Sequence, residues 1–129
     1  MLQHDPIQFL PQEVANIDTS RILVLRQSVG DERCREIIEE VVYHLSERLT
    51  KLETALHEWD GAEMRALASR LASLSEQVGL ADFARVSRDL CQCIDAEDPI
   101  ATGAVAARLL RLGDESILSV MLYADQAAL

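Results

Sequence analysis

Apolar residues recur along most of this chain at spacings of three and four, the period that places them on one side of an α-helix. The longest apolar stripe follows Gly30, and another follows Gly61. The first consists of Ile37, Ile38, Val41, Leu45, Leu49, Leu52 and Leu56, and the second of Met64, Leu67, Leu71, Leu74 and Val78. Short alternating runs of β-branched and aromatic residues, which indicate strands, are not concentrated anywhere. The pattern predicts an all-α protein.

Capping residues and glycines divide this pattern into one short helix and four longer ones. The helices are predicted from the cap cluster at 18–20 to Gly30, from Asp31 as the cap to about Glu58, from Asp60 to a stop at Gly79 as the residue just beyond the helix, from Leu80 to Ile94 and from about Ile100 to Ala124. Asp60 with Glu63 is close to a capping box, and Gly113 is a candidate bend in the last helix. Connections of about two to five residues favour antiparallel neighbours. They predict an up-down-up-down four-helix bundle with a short extra N-terminal helix across one end.

The chain divides into an N-terminal arm, residues 1–17, and one helical domain, residues 18–129. The arm contains Pro6 and Pro11 and lacks a regular apolar stripe. No internal repeat, linker or low-complexity tract interrupts the rest of the 129 residues, a length typical of one domain. The start of the chain lacks the basic residues and long apolar core of a signal peptide, so we expect a cytoplasmic protein.

Charge and hydropathy narrow the classes of partner. The formal net charge is −10, and the isoelectric point is about 4.6. A surface this acidic repels phosphate backbones, which argues against nucleic-acid binding. No apolar run approaches the length of a membrane-spanning helix, so we expect no membrane contact.

The residues that could carry metal or redox chemistry are few. Three cysteines, Cys34, Cys91 and Cys93, are an odd number and do not suggest a disulfide framework. Cys91 and Cys93 would point about 200° apart on a helix, so we expect them to pack as small hydrophobic residues. The chain has no glycine-rich phosphate loop and no paired Cys/His ligand spacing. We therefore predict no cofactor, no metal and no enzymatic activity.

The third helix, around LASRLASLSEQVGL (residues 67–80), has a polar side opposite its apolar stripe. At 100° per residue, Ser69 lies about 200° from Leu67, opposite the apolar stripe. Arg65, Ala72, Ser73 and Glu76 fall on the same half of the helix. Periodicity alone predicts an ordinary solvated face with Ser69 near its middle.

The order of these helices and the run around Ser69 resemble the histidine-containing phosphotransfer (HPt) family. In that family the third helix carries the pattern A-H-x-L-K-G-x-x-x-x-x-G-[AL]. Ala68, Leu71, Gly79 and Leu80 match its alanine, its leucine and its last two positions. The segment IDTSRILVLRQSVGDERCREIIEEVV, residues 17–42, resembles the family's opening, and the resemblance covers about residues 17–122. It implies a bundle that works in phosphorelay signalling.

The departures from the family pattern fall on its chemistry. Ser69 stands where the family has its phospho-accepting histidine, Ala72 replaces the lysine and Ser73 replaces the small glycine. A phosphohistidine passes its phosphate on readily because the protonated ring nitrogen is a good leaving group. A serine phosphate is a stable ester, and no histidine lies three or four residues from Ser69 to act as its base. The resemblance therefore implies a degenerate member that does not carry phosphate.

The sequence leaves several functions open. The degenerate module would bind a response-regulator receiver domain or a histidine kinase through Arg65, Ser69, Ala72, Ser73 and Glu76, flanked by the second helix. Alternatively, the chain is a helical-bundle assembly protein without a signalling role, a monomer or weak homodimer. Its pairing patch would be Leu118, Met121, Leu122 and Tyr123. A third hypothesis is an active phosphotransferase that uses His44 or His57; the remaining histidine, His4, lies in the arm.

Overall fold

The computed structural model describes residues 17–127 and forms five helices over this range, with no strand among the described residues. The helices are α1 (Thr19–Val29), α2 (Asp31–Glu58), α3 (Gly61–Gln77), α4 (Ala81–Asp95) and α5 (Pro99–Ala127). The all-α prediction is confirmed. The predicted arm lies outside the described residues except for Ile17, which packs partly buried against the core.

One helix end differs from the prediction because a glycine backbone makes the turn. Gly30, not Asp31, is the N-cap of α2, and no side chain caps this end. Gly30 also ends α1, with its N–H donating to the Arg26 carbonyl, so this residue alone turns the chain between two helices at a φ of +88°. Helix α3 ends at Gln77 with Val78 as its C-cap, so Gly79, whose φ is +78°, lies just beyond the helix as predicted. These positive φ values are conformations that glycine adopts without steric cost.

The start of α3 forms half of the predicted capping box. The Asp60 carboxylate accepts a hydrogen bond from the Glu63 N–H at 3.1 Å, as a capping aspartate does. The Asp60 N–H, however, donates to the Ala55 carbonyl, so the Glu63 side chain has no N-cap amide to accept from. Between the two helices, Trp59 ends α2 in the left-handed conformation with a φ of 56°. This compact connection folds α3 back onto α2.

The packing of the helices forms a closed ring around one core. Helix α2 packs against α3 and α5, α4 packs against the same two helices, and α1 packs against α2. The core is mainly aliphatic. It includes Ile22 of α1; Ile38, Val41, Leu45, Leu49 and Leu52 of α2; Met64, Leu67, Leu71, Leu74 and Val78 around α3; Phe83, Val86 and Leu90 of α4; and Leu109, Leu112 and Val120 of α5. The whole apolar stripe predicted for α3 is buried.

Two glycines allow close approaches within this core. A Cβ on Gly113 would lie 2.6 Å from the Leu49 Cδ1 atom, so the glycine lets α5 approach α2. Helix α5 continues through Gly113 to Ala127. A Cβ on Gly79 would collide with the backbone carbonyl oxygen of Asp18, and the Asp18 N–H donates to the Gly79 carbonyl at 2.7 Å. The entry into α1 is thus held against the turn between α3 and α4.

Candidate functional site

The candidate site lies on the solvent-facing side of α3, which packs against α2 on one edge and α4 on the other. Arg65, Ser69 and Ser73 are exposed, and Glu76 is partly exposed, as the sequence predicts. The expectation that Ala72 faces solvent is wrong, since Ala72 is only 5% exposed. Four of the five predicted residues therefore share an accessible surface.

Ala72 is buried because α3 is covered along its α4 edge as well as along its apolar stripe. Ala72 lies about 20° from Arg65 around the helix, on the edge that faces α4. Small buried residues share this edge and the opposing side of α4: Ala68, Ala72 and Ser75 on α3, and Ala84 and Ser87 on α4. Small side chains let two helices approach closely, so a second buried edge arises without an apolar stripe to signal it.

Two ion pairs join the exposed edge of α3 to α4. The Arg65 guanidinium donates to both carboxylate oxygens of Asp95, from Nε at 2.6 Å and from a terminal nitrogen at 2.8 Å. The Arg88 guanidinium lies 3.0 Å from the Glu76 carboxylate. The sequence singled out Arg65 and Glu76 but not their partners, because pairing between helices depends on the tertiary packing. Their charges are already matched within the chain.

The pKa values at this edge follow from the same contacts. Hydrogen bonding to the Arg65 guanidinium lowers the pKa of the Asp95 carboxyl, and Asp95 raises the pKa of Arg65. Both side chains are about half exposed, so water screens the pair and it contributes little to stability. Its two parallel hydrogen bonds nevertheless fix the direction of the Arg65 side chain.

Cys91 packs against this edge of α3. The Cys91 Sγ atom lies 3.7 Å from the Arg65 carbonyl oxygen, and burial raises the pKa of the Cys91 thiol. Burial likewise raises the pKa of Cys34 and Cys93, so all three thiols are stabilised in the neutral form. Within residues 17–127, no group of three or more potential ligands is arranged to hold a metal ion.

Ser69 has no catalytic partner in the described part of the chain. Its carbonyl accepts a 3.4 Å hydrogen bond from the Ser73 hydroxyl, a contact along the helix itself. His44 and His57 are exposed on α2. His44 lies 3.4 Å from an Arg48 guanidinium nitrogen, and neither imidazole forms a hydrogen bond with Ser69. Nothing here makes the Ser69 hydroxyl a better nucleophile than an ordinary serine.

Residues on the α2 side of this surface were not selected from the sequence. Lys51 and Arg70 are exposed, and neither forms an ion pair with any residue of the described range. Arg35 of α2 is a third exposed cation without an ion pair in the described range, but it lines the groove between α2 and α5. Composition could not have indicated them, because a net charge of −10 hides local positive regions.

A separate apolar surface lies near the end of α5. Leu118, Met121 and Leu122 are 58%, 48% and 51% exposed, whereas Tyr123 is partly buried against the core. Of these residues, Met121 lines a groove of about 200 Å³ between α2 and α5 together with Tyr43 of α2. No helix within the described range is long and apolar enough to cross a membrane.

Comparisons with family models, with curated proteins and with solved structures found no significant match. The resemblance to the HPt family therefore rests on the residues of this chain alone. The exposed Ser69 and the buried Leu71 fit the family pattern, and the buried Ala72 adds a departure from it.

Ala72 provides a test of this packing, because the family pattern has lysine at its position. We expect Ala72→Lys to lower the free energy of unfolding by roughly 1–3 kcal/mol, since the longer side chain has to displace α4 to reach water. Urea unfolding followed by circular dichroism measures the change. Ser73→Gly, the matched change to the family residue at the exposed neighbour, should cost only about 0.5 kcal/mol from helix propensity. Equal costs for the two variants would show that α4 does not cover Ala72.

Proposed function

We propose that this protein is a degenerate phosphotransfer module: an up-down-up-down four-helix bundle of the HPt type that binds a receiver or kinase domain without carrying phosphate. The observation that supports it most directly is the position of Ser69. Ser69 is exposed on α3, at the place where the family resemblance puts the phospho-accepting histidine. The structural positions of the pattern are kept, while the chemical ones are replaced.

The surroundings of Ser69 favour binding over chemistry. Arg65 pairs with Asp95, so its charge is already matched within the chain, and the carboxylate of Glu76 would repel a phosphate at Ser69. A phosphate on serine would also be a stable ester that a receiver aspartate could not readily remove. A partner that docks here would therefore be retained or blocked rather than phosphorylated.

The proposed contact surface is Ser69 and Ser73 with the paired side chains of Arg65 and Glu76 around them. The two serines have short side chains, so another protein's helix can approach the α3 backbone closely. Ala72 is not part of this surface, because α4 covers it. Its contribution is to let α3 and α4 pack closely, which holds Arg65 and Glu76 in place.

The test is binding to a panel of purified receiver domains and kinase dimerisation domains from the organism that encodes this chain. We expect saturable binding to at least one of them, measured by biolayer interferometry, and no transfer of label from a phosphorylated receiver. Ser69→Arg should weaken the binding at least about tenfold by blocking close approach. Ser46→Arg, the same change at an exposed serine of α2 on the side facing α5, should leave affinity unchanged. Absence of binding to every member of the panel would refute the proposal.

A second candidate function, an assembly protein, is favoured by the exposed Leu118, Met121 and Leu122. Exposed apolar patches of this kind often mark protein–protein contacts. A stable dimer in sedimentation experiments that Leu122→Glu dissociates, together with no receiver binding, would support it. An acid-labile phosphate on His44 or His57 would instead indicate an active phosphotransferase.

A further inference from the structure

We infer that the partner presents a carboxylate-rich protein surface to the α2–α3 edge beside Ser69, where Lys51 and Arg70 contact it. The inference rests on the proposed docking role of α3 and specifies the chemistry of the partner. It starts from two of the three exposed cations on these helices that have no ion pair among the described residues, because the third, Arg35, lines a groove between α2 and α5.

The position of Arg70 follows from the edge of α3 that is already assigned. Arg65 marks the edge next to α4, because it pairs with Asp95. Around the helix, Ser69 lies about 40° and Arg70 about 140° from Arg65, and the buried Leu74 follows at about 180°. Helix α3 packs only against α2 and α4 to a substantial extent in the described chain. Arg70 therefore lies on the α2 side of Ser69.

The position of Lys51 follows from the edge of α2 that faces α5. Ser46, Thr50 and Glu53 line a groove with α5, so they mark the α5 edge. Lys51 lies roughly 100–160° from each of these residues around the helix, across the solvent side and toward α3. Arg48 lies deeper at the same edge, with its side chain 22% exposed.

Lys51 and Arg70 are also at similar heights in the helix pair. Only Trp59 and Asp60 separate α2 from α3, and the two helices pack together. Lys51 is about eight residues before this connection and Arg70 about ten residues after it. At about 1.5 Å per residue, the two Cα atoms differ in height by only about 3 Å.

The two cations differ from the paired arginines of α2. Arg48 lies 3.6 Å from the Glu47 carboxylate, so its charge is partly matched. Arg33, nearer the start of α2, contacts Glu36 and Glu40. Lys51 and Arg70 have no such contact among the described residues, and Arg70 follows Ser69 directly in α3, where the proposed partner docks. A carboxylate-bearing surface supplies the missing anions, and such complementarity sets orientation and the rate of encounter.

The occupant is a protein and not a nucleic acid because of the total charge. A nucleic acid is a long chain of phosphates, so it would extend past the two cations onto the rest of the surface. That surface would repel it, because the protein has a net charge of −10. A folded protein can place a few carboxylates at one position and keep the remainder of its surface away.

The first test needs no knowledge of the partner. Oligoglutamate and a single-stranded oligothymidylate of equal length are titrated separately into the ¹⁵N-labelled protein at low salt. We expect oligoglutamate to shift amides near Lys51 and Arg70, and Lys51→Glu/Arg70→Glu to abolish these shifts. Arg35→Glu/Arg111→Glu is the matched control, since both side chains are exposed beside the α2–α5 grooves and the change in net charge is the same.

Each outcome of this titration decides the inference. Shifts confined to the α2–α3 edge, and retained in the control variant, support it. No saturable shift, or shifts centred on α5, would overturn it. Stronger binding of the oligothymidylate would overturn the assignment to a protein partner.

The second test uses any receiver or kinase domain that binds in the panel experiment. Lys51→Glu/Arg70→Glu should weaken that binding at least about tenfold at low salt and less at high salt, because exposed charges are screened. The control variant should keep the affinity. If a panel member binds and the charge-reversed variant binds equally well, the docking proposal stands and the present inference fails. If no panel member binds, the docking proposal fails, and the oligoglutamate titration still decides whether this edge recognises carboxylates.

Discussion

Replacing Leu71 with alanine is expected to lower the free energy of unfolding by about 3–4 kcal/mol, a large part of the stability of a domain of this size. Leu71 is fully buried in the middle of α3, between the two helices against which α3 packs. Removing its isobutyl group loses the transfer free energy of the buried carbons and leaves a cavity that neighbouring leucines cannot fill completely. Urea unfolding monitored by circular dichroism measures the loss, with the slope of the transition unchanged.

Ser69→Ala on the same helix is the matched control. Ser69 is exposed, and its side chain forms no hydrogen bond in the described structure. Alanine has the higher helix propensity, so the stability of this variant should stay within about 0.5 kcal/mol of the unmodified protein. A large loss at Ser69, or a small one at Leu71, would contradict the orientation of α3 on which the proposed docking surface depends.

Replacing Gly79 with alanine is expected to lower the free energy of unfolding by roughly 2–4 kcal/mol, although only one methyl group is added. Gly79 has a φ of +78°, a conformation that costs a residue with a Cβ roughly 1–2 kcal/mol. The added Cβ would also collide with the Asp18 carbonyl oxygen. Backbone atoms cannot move aside as a flexible side chain can, so the start of α1 has to separate from the α3–α4 turn.

Alanine substitutions at two other glycines separate the cost of the positive φ from the cost of the collision with Asp18. Gly30 also has a positive φ, +88°, but no atom lies within 4 Å of an added Cβ, so Gly30→Ala should cost only about 1–2 kcal/mol. Gly61 has neither a positive φ nor a nearby atom, and alanine there should be neutral or stabilise by up to about 1 kcal/mol. Thermal unfolding of the three variants should give this order. Equal costs for Gly79→Ala and Gly30→Ala would show that the contact with Asp18 does not matter.

For the proposed function, these variants separate folding from binding. Gly79→Ala and Leu71→Ala disturb the packing that holds α3 in position. Ser69→Arg and the charge reversal at Lys51 and Arg70 change only exposed side chains. If the docking proposal is correct, the second group loses affinity at nearly unchanged stability. The melting temperature of each variant should therefore be measured beside its affinity.

The fold class and the helix order were determined by the sequence because they depend on local patterns. Only the helical period was needed to predict the apolar stripe of α3, and the whole stripe is buried. The cap at Asp60 could be predicted from the sequence, because capping depends only on atoms within one helical turn. The same helical period predicted that Ser69 lies on the exposed side of α3, as it does. Gly30 took the cap position predicted for Asp31, since a turn of one residue between two helices requires a glycine backbone.

The tertiary structure decided what depends on a second helix. Ala72 has no apolar neighbour pattern that marks it as buried, and only the approach of α4 covers it. The pairing of Arg65 with Asp95 joins residues thirty positions apart, so no local spacing could indicate it. The inferred placement of Lys51 and Arg70 on one edge depends on the packing of α3 against α2. A helical period fixes which side of one helix is apolar, but contacts at its edges and local charge are set by the neighbours against which it packs.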